Sequence, residues 1–445
     1  MTKNLKIGLF VLFIIQILVA ANFELANDEA YYWLYSKHLD WGYFDHPPFV
    51  AWTIALFSFL PKSELSVRLG FIVLQFLSLL LILKMISERA SYNKAALLFF
   101  AFPLASFSGL LALPDMPLLF MATCYCYSLK RFLESEDTTS VLMLIFSIPL
   151  LLYAKYHGIL FIFFTILANP KLLLNKKFYF IALISIILFL PHVLWQYQHD
   201  FPSIRYHFLE RPAASFSIKR SLEYLLTQVG LAGALTGPIV WWITIKEKSN
   251  DQFLKTLKFI SIGTLIFFLV SSFSKKVEAN WTIALTSTLI LLSIGHDLWN
   301  KKWSKVLLVT SFILIFSARF LLVFPEGFKI KRLKEFYGWK DWAQMTVQEC
   351  GGRPVVANTY QIASKLSYYL NKDIPALNIH SRKNQFDIWN FGVDQPSKEV
   401  CYLTDKAEFE GKKIPTPDGK NLKLVLNKSM VELIHVKKSE SSKFL

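Results

Sequence analysis

The chain reads as a polytopic α-helical membrane protein with about eleven transmembrane helices and a C-terminal α/β domain, and three observations lead there. Hydrophobic residues make up 54% of the 445 and charged residues only 18%, below the rough quarter usual in soluble domains. Apolar runs recur at Ile7 to Phe23, Phe71 to Ile86, Ala95 to Leu113, Phe180 to Val193, Phe259 to Val270, Trp281 to Ile294 and Val306 to Val323. Several approach the roughly 20 residues a helix needs to cross hydrocarbon, where an unpaired backbone would be prohibitive. Lys and Arg collect in the short segments between alternate runs.

The first run has no small-residue cleavage site followed by a soluble sequence, so it reads as a retained helix and not a cleaved signal peptide. With the N-terminus in the cytoplasm, spans fall near 7–23, 67–86, 95–113, 116–130, 139–154, 157–170, 179–197, 222–245, 253–272, 281–299 and 304–323. Every cytoplasmic loop is then basic: Lys84, Arg89 and Lys94; Lys130 and Arg131; Lys171, Lys176 and Lys177; Lys246 to Lys258; Lys301, Lys302 and Lys305. Pro48 to Leu60 is too short for a span and reads as interfacial or re-entrant; counting it as a crossing would put the basic loops outside. The same asymmetry accounts for the net charge of +16, and nucleic-acid binding is excluded for want of a soluble basic face.

From about Pro325 charged and polar residues rise, which divides the chain into a transmembrane part, 1–324 with an outer loop at 24–66, and an outer α/β domain, 325–445. Arg353 to Asn358, Ile374 to Ile379, Val400 to Thr404 and Leu422 to Leu426 read as strands, Gln361 to Leu370 as a helix, and Lys437 to Lys443 as a disordered tail. An odd number of crossings places this domain outside. Cys124 and Cys126 lie in a span as small apolar residues, whereas Cys350 and Cys401 lie in the outer domain and are disulfide candidates in an oxidising periplasm.

The chemistry-bearing residues collect on the outer side. Asp28 and Glu29 stand in the first outer loop among aromatics, where one can serve as a general base or simply cap an interfacial helix. Asp115, in Leu113-Pro114-Asp115-Met116-Pro117, holds a carboxylate at the outer end of a span, a costly place that favours function over capping. Facing them are Lys155, Arg205, His207, Lys275 and Lys276; outer loops are usually poor in Lys and Arg, and a phosphate group explains the excess better than snorkelling does. Asp45, His46, His199 and His207 are candidate metal or substrate ligands without diagnostic spacing. No Gly-rich phosphate loop occurs.

Asp28-Glu29, Tyr43-Phe44-Asp45-His46-Pro47-Pro48, Pro114-Asp115-Met116-Pro117, the Lys155 loop and Lys276-Val277-Glu278-Ala279-Asn280-Trp281 together resemble bacterial members of the dolichyl-phosphate-mannose protein mannosyltransferase superfamily. This is the glycosyltransferase C fold, which includes the lipid A aminoarabinose transferases, and the resemblance extends to Arg332 to Trp342 and Tyr360 to Trp389. It implies an inverting transfer from an undecaprenyl-phosphate sugar to an envelope acceptor such as lipid A, lipopolysaccharide core or protein, on the periplasmic face of the inner membrane. On the family pattern Asp28 is the base with Glu29 beside it, Asp115 a second acid, and Lys155 the holder of the carrier phosphate, with Arg205 and Lys276 as further candidates. Asp45 matches a Glu linked with a metal in the aminoarabinose transferases, and His46 stands where those relatives carry Lys, which points to a neighbouring branch. No cofactor is required by this chemistry, although a divalent metal is compatible with it. The competing reading is a transporter or flippase for a lipid-linked sugar; it expects charges at mid-span and a repeated half, whereas here they sit at outer ends.

Overall fold

A computed structural model of the chain describes residues 1–206, 215–324, 330–389, 391 and 399–441. The chain is a multi-pass helical membrane protein. Among the described residues five segments are long and apolar enough to cross a bilayer unaided: Lys3–Ala20, Glu64–Met85, Lys176–Gln198, Gln252–Ser272 and Lys302–Leu322. Lys3–Ala20 and Lys176–Gln198 are mostly unburied by protein and turn Phe10, Leu18, Leu183 and Ile187 outward, which is stable only where the surrounding solvent is hydrocarbon. Glu64–Met85 is more than half buried and stands inside the bundle, packed against the helices Lys3–Ala20 and Asp115–Glu134.

Helices also occupy the other segments read as spans, but several are broken for local reasons. The 95–113 segment divides into Tyr92–Ala101 and Pro103–Phe107, because Pro103 has no N–H to continue the first helix. The 222–245 segment divides into Ile218–Leu231 and Gly237–Lys246; Gly233 takes a positive φ of 109° between them. Side-chain oxygens close helix starts elsewhere: the Asp137 carboxylate accepts from the Ser140 N–H at 2.7 Å and that of Asp251 from the Leu254 N–H at 2.8 Å. The doubtful Pro48 to Leu60 stretch forms the 8-residue helix Phe49–Leu56, roughly 12 Å long at 1.5 Å per residue and far short of a crossing.

The C-terminal part is a four-stranded sheet with helices. Its strands are β1 (Val355–Ala357), β2 (Glu399–Thr404), β3 (Lys412–Pro415) and β4 (Asn421–Ser429), in the order β1-β2-β4-β3. β1 and β2 are parallel, with Val356 opposite Tyr402, while β4 runs antiparallel to both β2 and β3. Two sequence expectations fail here. Ile374 to Ile379 is not a strand: it makes a single bridge, Ala376 to Ala357, and the positive φ of Asn378 and His380 turns the chain away. The supposed tail is helical as far as Ser441, since Met430–Ser441 forms a helix and Lys437 Nζ lies 2.7 Å from Asp387 Oδ1; its last residues, 442–443, lie outside the described residues.

The helix Tyr360–Leu370 packs against Asn27–Lys37 and so joins this part to the first loop. The Leu25 N–H donates to Tyr369 Oη at 3.1 Å and the Trp339 N–H to Glu24 Oε2 at 2.7 Å, while Lys365 Nζ donates to the Glu335 carbonyl at 2.8 Å and also to that of Leu25. Cys350 and Cys401 form a disulfide, Cα atoms 5.5 Å apart, that ties the end of the helix Trp339–Glu349 to β2. Closing a loop of 51 residues is expected to contribute roughly 2–4 kcal/mol. Alkylation of denatured, unreduced protein should label Cys124 and Cys126 only; labelling of all four cysteines would refute the bond.

Candidate active site

Glu29 opens the site by closing its floor. The helix Asn27–Lys37 begins with Glu29 accepting the Ala26 N–H at 2.8 Å, and the same carboxylate takes two hydrogen bonds of 2.7 Å from Arg68 and one of 2.8 Å from the Ala112 N–H. Both side chains of this ion pair are wholly buried. Arg68 spends its remaining donors on the carbonyls of Ala20, Phe23 and Glu24. Glu29 is thus a fully engaged structural residue, and no lone pair is left on it to accept a proton.

Asp28, one position earlier, turns the other way. Its carboxylate is open to solvent yet surrounded by protein mass, and accepts a hydrogen bond from Tyr360 Oη at 3.1 Å. Burial pushes its pKa up to about 6; the charges of Glu335 and Asp45 push the same way, and the Tyr360 hydroxyl and Arg382 pull against them. Asp45 is held by Tyr31 Oη at 2.9 Å and by Arg382 Nη2 at 2.7 Å, and burial raises its pKa against the pull of Arg382. Tyr31 Oη in turn accepts the Gln385 N–H at 2.8 Å, and Gln385 Oε1 accepts the Phe44 N–H at 2.7 Å. Tyr360, Arg382 and Gln385 therefore reach the acidic loop from more than 300 residues away; the stretch Tyr360 to Trp389 carries part of the resemblance, but their contacts with the loop follow only from the structure.

Asp115 and Lys155 meet each other. Asp115 stands in the first turn of the helix Asp115–Glu134, where the helix dipole favours an anion. Lys155 ends the helix Thr138–Ala154, and its Nζ lies 2.8 Å from Asp115 Oδ1, both side chains nearly fully buried. Asn280, from the turn Ala279–Thr282, donates to the other carboxylate oxygen at 2.9 Å. The quoted Glu278-Ala279-Asn280-Trp281 motif contains Asn280, but its role follows only from this contact.

Lys155 also lines a cavity of about 700 Å³ whose walls are mainly apolar, with Phe189, Val193, Phe267 and Trp281 among them and His46, His157 and Lys275 at its polar parts. His46, next to Asp45 in the acidic loop, lines the same wall, and the lining residue Ser203 donates to the Phe44 carbonyl at 2.8 Å, so the acidic loop and the cavity adjoin. The other predicted cations fall elsewhere. Lys276 is exposed and pairs with Glu278 at 3.0 Å, while its neighbour Lys275 lines the cavity. Arg205 is exposed on the short helix Pro202–Arg205, beside the lining residue Ile204. His207 lies outside the described residues.

As metal ligands the candidates among the described residues do not converge. Among the described residues no three His, Cys, Asp or Glu side chains gather to hold an ion. Asp45 is occupied by Tyr31 and Arg382, and His199 bonds the Trp195 carbonyl at 2.8 Å and stacks on its ring.

The buried Lys155–Asp115 pair yields a thermodynamic test. Lys155→Met or Asp115→Asn alone strands a buried partner and is expected to destabilise the protein by about 3–5 kcal/mol. The double variant should recover much of that loss in thermal or denaturant unfolding; additive losses would show that the two do not act as a pair.

Comparison with known proteins places this geometry in context. Residues 45–195 match the family model described as dolichyl-phosphate-mannose-protein mannosyltransferase. The chain is 24% identical over 310 residues to a lipid A galacturonosyltransferase, RgtD, of Rhizobium johnstonii, a match that covers 64% of each protein. Two crystal structures of ArnT from Cupriavidus metallidurans superpose over 96% of this chain and 99% of theirs, at 13% identity: the apo form with a TM-score of 0.69, the form bound to undecaprenyl phosphate with 0.67. The resemblance drawn from the motifs is borne out in both sequence and fold: the chain is similar to the dolichyl-phosphate-mannose protein mannosyltransferase superfamily and shares the glycosyltransferase C fold of ArnT.

Proposed function

We propose that the protein transfers a sugar from a polyprenyl-phosphate carrier, such as undecaprenyl phosphate, to an envelope acceptor of the lipid A type at the periplasmic face of the inner membrane. The observation that carries this reading is the apolar cavity with a buried lysine in its wall, adjoining a loop whose accessible carboxylate has a raised pKa. An apolar groove fits a prenyl tail, Lys155 and Lys275 fit a phosphate, and Asp28 fits a general base. The name of the relative from Rhizobium johnstonii favours lipid A over lipopolysaccharide core or protein as acceptor.

In this mechanism an acceptor hydroxyl gives its proton to Asp28 as its oxygen attacks the anomeric carbon from the face opposite the phosphate. The carbon–oxygen bond to the carrier breaks, its electron pair leaves on the carrier phosphate, and the anomeric configuration inverts. The phosphate is already a good leaving group, so stabilising its growing charge is the larger task. Lys155 is preorganised for it: Asp115, itself held by Asn280, keeps the ammonium in place before any substrate arrives. Asp115 thereby acts through Lys155, positioning it.

The same reading has eleven crossings, a cytoplasmic N-terminus and a periplasmic domain at 325–445. Two features support it. The first loop, the 155–158 turn and the 273–281 segment, all read as outer, meet at one cavity, and a disulfide suits an oxidising compartment.

Asp28→Asn keeps the size of the side chain and removes the base, so turnover should fall about 100-fold or more with the fold and carrier binding retained. In the wild type Asp28 accepts a proton only when ionised, so activity should rise with pH through about 6 and level above it. Tyr360→Phe removes a hydrogen bond that favours the carboxylate and should move that limb to higher pH. Near-normal turnover by Asp28→Asn would reject the assignment. A reporter active only in the periplasm, fused after Lys437, should be bright; a silent one beside a bright cytoplasmic reporter would reject the topology.

A further inference from the structure

We propose that Lys37 and Lys62 form a binding site for the phosphate group of an anionic phospholipid in the outer leaflet, at the foot of the first outer loop; the inference rests on the topology proposed above. Lys37 ends the helix Asn27–Lys37 and Lys62 stands just before the helix Glu64–Met85, and both are exposed. Their ammonium groups converge on one aromatic ring: Lys37 Nζ lies 5.4 Å and Lys62 Nζ 4.9 Å from the centre of Trp33. Lys62 Nζ is also 4.6 Å from the ring centre of Tyr368, which meets Trp33 edge-on at 5.1 Å.

An indole ring attracts a cation, which explains one lysine there and not two. Two like charges this close repel, and among the described residues neither lysine forms an ion pair that would relieve them. Asp373, two residues past Asn371, lies 3.4 Å from His38 and is already engaged. Burial and then Lys37 lower the pKa of Lys62, against a smaller pull from Glu64. Lys62 gives two of its three N–H groups away, to the Tyr368 carbonyl and to Asn371 Oδ1 at 3.2 Å, and Lys37 makes no hydrogen bond among the described residues. An anion between the two ammonium groups takes up the remaining donors and replaces repulsion with attraction on both sides.

The surroundings say what carries the anion. Leu39 and Trp41 closely follow Lys37 in the chain, Leu56 and Phe59 closely precede Lys62, and these four side chains are 50% to 77% exposed. Large apolar side chains gathered outside the core are at home against hydrocarbon, and lysines flanked by them stand at the level of the headgroups. The ligand must then combine an anionic group with apolar tails, which an anionic phospholipid does and a free phosphate ion does not. Nor is it the acceptor being glycosylated. Lys37 and Asp28 are nine residues apart on one helix, roughly 14 Å along it and about half a turn round, so a lipid held by Lys37 stands behind the base. Such a lipid seats the helix that carries Asp28 on the membrane.

The test is acetylation of lysines in purified full-length protein, held in nanodiscs of dioleoylphosphatidylcholine alone or mixed equally with dioleoylphosphatidylglycerol, with rates read peptide by peptide by mass spectrometry. The phosphatidylglycerol should slow the reaction of Lys37 about fivefold or more. In Lys62→Gln the two lipids should give rates at Lys37 within about twofold of each other, because one ammonium alone no longer holds the headgroup. Equal rates in wild type, or a slowing that survives in Lys62→Gln and so reports only the charge of the membrane surface, overturns the inference. Should Lys62→Gln fail to fold, Lys37→Gln, which breaks no described hydrogen bond, is read at Lys62 by the same two criteria. Inorganic phosphate added to the phosphatidylcholine nanodiscs should leave the rate at Lys37 unchanged; protection by it would make the ligand a free anion and overturn the assignment to a lipid. Failure of the topology shows in the reporter fused after Lys437, and failure of this site only in the acetylation rates.

Discussion

Much of the outer end of this molecule hangs on the ion pair between Glu29 and Arg68. Two charges taken wholly out of water are tolerable only when every donor and acceptor is answered, and here four hydrogen bonds reach the carboxylate while Arg68 also binds three carbonyls. Those partners belong to the end of the first helix, the start of Asn27–Lys37, and the 112 position just before Asp115. The pair therefore fixes two acids it never touches. Asp28 faces outward because Glu29, roughly 100° further round the helix, must face in; Asp115 begins its helix where the Ala112 contact sets the chain.

A second layer is added by the C-terminal part. Its Arg382 neutralises Asp45, its Tyr360 bonds Asp28, and its Gln385 accepts the Phe44 N–H while donating its own N–H to Tyr31. Aromatic rings fill the space between: Tyr35 stacks on Tyr43 at 3.9 Å, and Tyr31 packs against Tyr360 at 4.7 Å. This crowding is the physical origin of the raised pKa of Asp28, since protein replaces the water that would solvate its charge. The acidic loop by itself, as it stands in sequence, would hold an ordinary carboxylate.

What could be read from the sequence follows the range of the interaction behind it. Apolar runs and the placement of Lys and Arg are local, and helices do lie where those runs are, down to the short helix after Pro48. Strands β1, β2 and β4 announced themselves by short apolar runs, whereas Ile374 to Ile379 has the composition of a strand and lacks a partner to pair with along its length. Beyond the Cys350–Cys401 disulfide, pairings were not legible. Asp115 and Lys155 were assigned separate tasks although each is the other's counter-ion, and Glu29 was set beside Asp28 although its partner Arg68 lies 39 residues on. Lys276 was taken over Lys275 on the family pattern, and the backbone, which gives each of two adjacent lysines its own direction, turns Lys275 to the cavity.

The rim of the cavity has a consequence for supply. Ile159, Val193, Ile204 and Phe267 line it and are also about half exposed, so its opening is greasy and faces sideways from the bundle. A long-tailed ligand meets such an opening by sliding within one leaflet, without ever entering water. The quantity that governs occupancy is then its surface density among the lipids, in molecules per unit area, and diluting the membrane with inert lipid lowers it while diluting the suspension does not.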